Sequence, residues 1–190
     1  MKKNRSFIIL IIGIIAFLTL IGYRLTAESA AKAHAFLEKD AQKIEEIDFE
    51  WGKAYIYKID DYYRTVLAIR SGFLWRSPVS TSLKNVDDKK DDLRTVGLAS
   101  VTIKNKSITI LAIKNSDKSV AYVEAGPELD RVKKEINPED IVIFSWDKPF
   151  YTHDIEPIAL SKDNEKLYRY GYPEGTNVFR DKDLKWYKTK

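Results

Sequence analysis

Residues 7–23 read FIILIIGIIAFLTLIGY, seventeen consecutive positions without a charge. At 1.5 Å per residue such a run is near the lower limit for crossing a hydrocarbon core of roughly 30 Å. Arg5 and Arg24 extend its reach by snorkelling, and Tyr23 suits the headgroup interface. Lys2, Lys3 and Arg5 precede the run, and no acid occurs before Glu28. This asymmetry places the N-terminus in the cytoplasm and the chain beyond Arg24 outside. The expectation is a single-pass protein of the cell membrane: a cytoplasmic stub over 1–6 and a transmembrane anchor over 7–24 that contacts membrane lipid. The alternative is secretion after cleavage of a signal peptide. The apolar run is longer than the usual signal region, and the small-x-small sites at 31–33 and 33–35 lie well past it. A buried core helix is disfavoured because nothing polar interrupts the run.

The formal charge of +4 takes its meaning from this segment. Lys2, Lys3, Arg5 and Arg24 are the only charges in the first 24 residues. Removing these four from the 32 Lys and Arg leaves 28, equal to the 28 Asp and Glu. The excess marks topology and contact with anionic lipid, and it argues against a nucleic-acid partner, which needs a basic field on the domain itself. The chain has no cysteine. Disulfides, thiol catalysis, thiolate metal sites and a lipid-modified bacterial signal are thereby removed together. With its Ile- and Lys-rich composition, the chain has the character of a bacterial cell-envelope protein.

Residues 25–48 are rich in Ala, Glu and Lys and hold neither Gly nor Pro, which predicts a helical juxtamembrane spacer. Ala30, Ala33, Leu37, Asp40, Ile44 and Ile47 would line one face, as a thin dimerising seam or as a spacer resting on the next domain. From residue 49 to 190 the pattern predicts an extracytoplasmic β-rich domain. Alternation over 53–58 and 64–70 around Asp60-Asp61 suits a hairpin, and a third run over 73–77 stops near Pro78. Further strands are expected over 96–104, 107–114 and 119–125. Leu129, Val132 and Ile136 stand at helical spacing between Pro127 and Asn137-Pro138, predicting a short amphipathic helix, and 140–146 reads as another strand. The fold class expected is mainly β (α+β): one mostly antiparallel sheet domain with a short packed helix behind an N-terminal membrane helix.

Chemistry-bearing motifs are scarce. Only His34 and His153 exist, and on a strand His153 and Asp154 would face opposite ways. Residues 87–92 hold four carboxylates, but Lys89 and Lys90 interrupt them and the glycine of a calcium loop is missing, so a solvated loop is expected. Phosphate-binding glycine motifs and the G-x-S-x-G elbow are absent. Aromatics stand out: four Trp, and eleven Tyr of which all but Tyr23 lie beyond the anchor. Tyr55 and Tyr57 share one strand face and Tyr168, Tyr170 and Tyr172 another. Together with Trp75 these form the candidate binding surface for an envelope glycan or an extended segment of an envelope protein. The alternative use of the same rings is cross-strand packing. No catalytic residue, metal site or cofactor is assigned. The expected function is a membrane-anchored extracytoplasmic binding or interaction domain. The alternatives are an envelope hydrolase using paired carboxylates among Asp60, Asp61, Asp154 and Glu156, and a sensor or regulator that acts on a membrane complex through its span.

Overall fold

The structure, a computed structural model, describes residues 2–60, 62–84, 91–175, 177 and 179–189. Residues 87–90 of the acidic run lie outside them, as does Asp61. The chain forms two compact units, residues 1–59 with 65–80, and residues 60–64 with 81–190.

In the first unit, helix α1 (Lys2–Leu20) is followed by the short helix α2 (Ala27–Lys32) and by β1 (Gln42–Phe49), β2 (Gly52–Ile59), β3 (Tyr62–Ser71) and β4 (Leu74–Lys84), which form a four-stranded sheet in that order. β3 and β4 contribute residues 65–71 and 74–80 to this unit. The helix expected over 7–24 does not run that far, since α1 stops at Leu20. Among the described residues, no helix is long and apolar enough to cross a membrane. The cause is Gly22. With φ at 90° it takes the left-handed conformation that ends a helix, while its N–H bonds Thr19 O at 3.2 Å and the Tyr23 N–H bonds Leu18 O at 2.9 Å. This paired closure satisfies carbonyls that a continuing helix would have used. The polar start then leaves residues 7–20, about 21 Å of apolar helix.

The helical spacer over 25–48 is a second correction. Helix α2 starts at Thr26, whose hydroxyl accepts the Ser29 N–H at 3.1 Å, and it ends after six residues. Its Ala27, Ala30 and Ala31 are buried and it packs on β2. Residues 42–49 are instead a strand, paired antiparallel to β2. Glu46 lies between Lys43 and Lys53, at 3.2 and 2.7 Å, and Asp48 meets Lys53 at 2.8 Å. Helix propensity is worth only a few tenths of a kcal/mol per residue, and an eight-residue ladder with Ile47 buried outweighs it. β4 runs on through Pro78, contrary to expectation, because it is an edge strand and an edge position tolerates the missing N–H.

The second unit contains β5 (Leu93–Ile103), β6 (Lys106–Asn115), β7 (Tyr122–Ala125), β8 (Val132–Glu135), β9 (Ile141–Trp146), the helical turn α3 (Thr152–Ile155), β10 (Ile158–Leu160), β11 (Lys166–Gly171) and β12 (Lys185–Lys188). One sheet has the order β5-β6-β9, the other β12-β11-β10-β7-β8. Leu93, Leu111, Ile113 and Phe144 from the first share one core with Val123, Ala159, Tyr168 and Trp186 from the second. The unit is therefore an antiparallel two-sheet sandwich. The mainly β class is as the alternation predicts. The expected helix over 128–136 is not: only Glu128–Asp130 is helical, as one 3-10 turn, and β8 pairs with β7. Leu129 is 97% exposed while Ile136 is buried, so the helical spacing of these residues does not correspond to a common buried face. Arg131 fixes the segment, donating to Gly126 O at 3.1 Å and Glu156 O at 3.2 Å.

Candidate functional site

The sandwich opens into a cavity of about 480 Å³ walled by β5, the last residues of β4, β11 and β12, with Phe150 and Ile155 beneath. Its position follows from an irregularity in β5. The register with β6 slips between Thr95 and Gly97, a bulge that sets Thr95 against β11 and β12. The buried Trp186 donates its indole N–H to Thr95 Oγ1 at 3.2 Å. Tyr170 lies beside Trp186, ring centroids 5.6 Å apart and planes inclined at 51°. Burial pushes the Tyr170 hydroxyl up to about 12, against the opposing hydrogen bond with Thr95. The phenol is neutral over the physiological range, and its hydroxyl meets Thr95 at an aromatic wall. Arg94, Lys185, Asp91 and Thr152 are also in the lining, so charges of both signs stand around the apolar rings. Thr81 braces the β4 side, donating to Leu98 O at 2.7 Å.

A smaller cleft of about 220 Å³ shares Asp91, Leu93 and Trp186 with this cavity and adds Asp92, Tyr168 and Lys188. The Tyr168 hydroxyl lies 2.9 Å from Asp92 Oδ2 and 2.6 Å from Asp117 Oδ2. One phenolic proton thus serves two carboxylates, and Lys188 Nζ, 3.0 Å from Asp92 Oδ2, offsets their charge. Burial and the two acceptor carboxylates push the Tyr168 hydroxyl far above its ordinary value. Burial acts to raise the Asp117 carboxyl, but bonds from Tyr168 and Ser119, with the Lys188 charge, hold it below the usual carboxylate range. Asp117 Oδ1 already accepts from the N–H and hydroxyl of Ser119 at 2.8 and 2.7 Å. Both its oxygens are engaged, which suits a structural clasp between the sheets rather than proton transfer to a substrate.

The six aromatics expected to share a surface are divided. Tyr55 and Tyr57 are buried in the first unit at 2% and 1% exposure, so the expectation that they bind a ligand is corrected: their rings are packing. Burial pushes both hydroxyls up to about 12. Trp75 is half-buried, and its backbone exchanges both hydrogen bonds with Arg24. Tyr168 is buried in the carboxylate clasp, Tyr172 packs edge-on against Phe179 at 5.0 Å, and Tyr170 alone of the row lines the larger cavity. His153 and Asp154 do meet, at 3.3 Å, because residues 152–155 form a helical turn rather than a strand. His153 is solvent-exposed there. Asp60 and Glu156 are exposed turn residues with φ at 40° and 38°. No group of three or more metal-ligating side chains occurs among the described residues.

Sequence reasoning missed Thr95, Trp186, Asp92 and Asp117. Trp186 is one of the four tryptophans of the sequence, but it stands in a charged C-terminal stretch with no strand expected there. Asp92 and Asp117 were not legible, since their partner Tyr168 lies 76 and 51 positions away. Compared with known proteins, the chain matches no family model, no curated protein and no solved structure.

Proposed function

We propose that this chain is a membrane-attached binding module of the bacterial cell envelope, with α1 in the bilayer, its basic end on the cytoplasmic side, and the β units outside. One observation carries the reading: among the described side chains of α1, apolar ones are exposed in every direction around the helix. Phe7, Leu10, Ile12, Ile14, Ile15, Phe17 and Leu20 are each at least half exposed, and residues 12–17 are exposed without a break. Six consecutive positions cover every direction around a helix, so no single protein face could bury them, whereas lipid would. The 19-residue helix is about 28 Å long with its basic end included. Snorkelling of that end and local thinning of the bilayer accommodate the shorter apolar stretch.

The bound partner is an amphipathic envelope component, a glycan or an extended protein segment, taken in the cavity beside Tyr170 and Trp186. Rings offer an apolar plane, and Thr95 with the charged rim offers hydrogen bonds, the combination by which such sites fix a ligand. Carbonate extraction of membranes from cells making the full chain tests the attachment. The chain should stay in the pellet, and a variant with polar helix-forming residues at 7–20 should move to the supernatant. Recovery of the natural chain in the supernatant would sink the reading. Tyr170→Ala should weaken retention of solubilised envelope glycan or peptide by tenfold or more, with the unfolding midpoint as the control for folding.

A further inference from the structure

The geometry points to a second lipid contact in the first unit: the β3–β4 hairpin tip, Phe73 with Leu25 beside it, enters the outer leaflet next to α1 and is packed there by acyl chains. This rests on the reading of α1 as membrane-inserted. Phe73 and Leu25 are 79% and 76% exposed. Together with Ile14, Ile15, Leu18 and Leu74 they line an apolar cleft of about 510 Å³. The hairpin is held to the helix exit by the paired backbone bonds between Arg24 and Trp75, at 2.7 and 2.8 Å. Arg24 is itself tied back, its guanidinium donating to Thr19 O and Tyr23 O.

The level of the tip follows from the residues it faces. Ile14 is six positions before Leu20, so the cleft extends along about the last 9 Å of α1. A bilayer that covers Ile14 and Ile15 therefore covers Phe73. The cleft wall continues without a break into the exposed surface of α1, which makes acyl chains the occupant. Charge agrees with this placement: the exposed Arg70 and Arg76 stand a few residues behind the tip on β3 and β4, at the height where anionic headgroups begin, with Glu50 in the neighbouring β1–β2 turn. An apolar tip backed by arginines is the composition of an interfacial anchor.

The absence of cysteine permits a clean test. Full-length chains carrying Phe17→Cys, Phe73→Cys or Asn105→Cys are labelled with an environment-sensitive fluorophore and reconstituted into vesicles of phosphatidylglycerol and phosphatidylcholine. Quenching by aqueous iodide is compared with quenching by spin-labelled acyl chains. The expected result is that Phe17 and Phe73 labels are quenched by the lipid probe and several-fold less by iodide than the Asn105 label. A lipid-embedded Phe17 label with a Phe73 label as iodide-accessible as Asn105 would overturn the hairpin contact and leave the reading of α1 standing. A Phe17 label in water, whatever Phe73 reports, would overturn both.

Discussion

Tyr168 holds one hydroxyl proton between Asp92 and Asp117 and joins the first residues before β5, the turn after β6 and strand β11. Tyr168→Phe removes that donor and leaves two carboxylates without it, an expected loss of about 1–3 kcal/mol in urea unfolding. The pH dependence has a definite sign. The Asp117 carboxyl is held below its ordinary value, so its contribution is present above the unfolded value of 3.8 and is lost as pH falls through the lower folded one. Natural and Tyr168→Phe chains should therefore converge in stability under acid and diverge toward neutrality. A difference that does not change with pH would contradict the clasp. The buried tyrosines give the opposite limb. Tyr55, Tyr57 and Tyr170 are each pushed up to about 12 from 10.0, mainly by burial. Their contribution is complete below pH 10 and is lost as pH rises toward 12. Tyrosinate absorbance of the folded chain should lag that of the urea-unfolded chain across this interval; coincident titrations would show the rings to be solvated. At this scale the sequence names Tyr170, which lines the cavity, but not its neighbours, because the bulge at Thr95 and the long-range carboxylate partners leave no local pattern.

Secondary elements were legible where local pattern and long-range pairing agree. Alternation marks β2, β3, β5, β6 and β9 correctly, because each hydrophobic face meets a sheet partner. Two segments with helical character became strands. In residues 42–49 pairing to β2 prevails, and in residues 132–135 pairing to β7 does. The second case distinguishes the two readings by mutation. Leu129→Ser should change stability by less than about 0.5 kcal/mol, since the side chain is 97% exposed. Ile136→Ser should cost about 3 kcal/mol. Equal losses would restore the amphipathic helix. The turn between β7 and β8 depends on Gly126, whose φ is 111° and where a Cβ would lie 2.6 Å from the carbonyl oxygen of Asp130. Gly126→Ala should lower stability by about 2 kcal/mol, and thermal unfolding compared with Gly175→Ala, where an added Cβ meets no described atom beyond its chain neighbours within 4 Å, separates the close approach from conformational strain alone.

For the whole molecule, the charge excess and the apolar run were readable from the first residues, while the end of the helix depended on one glycine in a conformation that hydropathy does not register. In the proposed arrangement α1 holds the β units outside the membrane. Single cysteines at Asn4 and at Asn105, introduced separately into the full chain, test it directly in intact cells with a membrane-impermeant maleimide. The Asn105 cysteine should be labelled in intact cells and the Asn4 cysteine only after permeabilisation. Labelling of both, or of neither, before permeabilisation would contradict it.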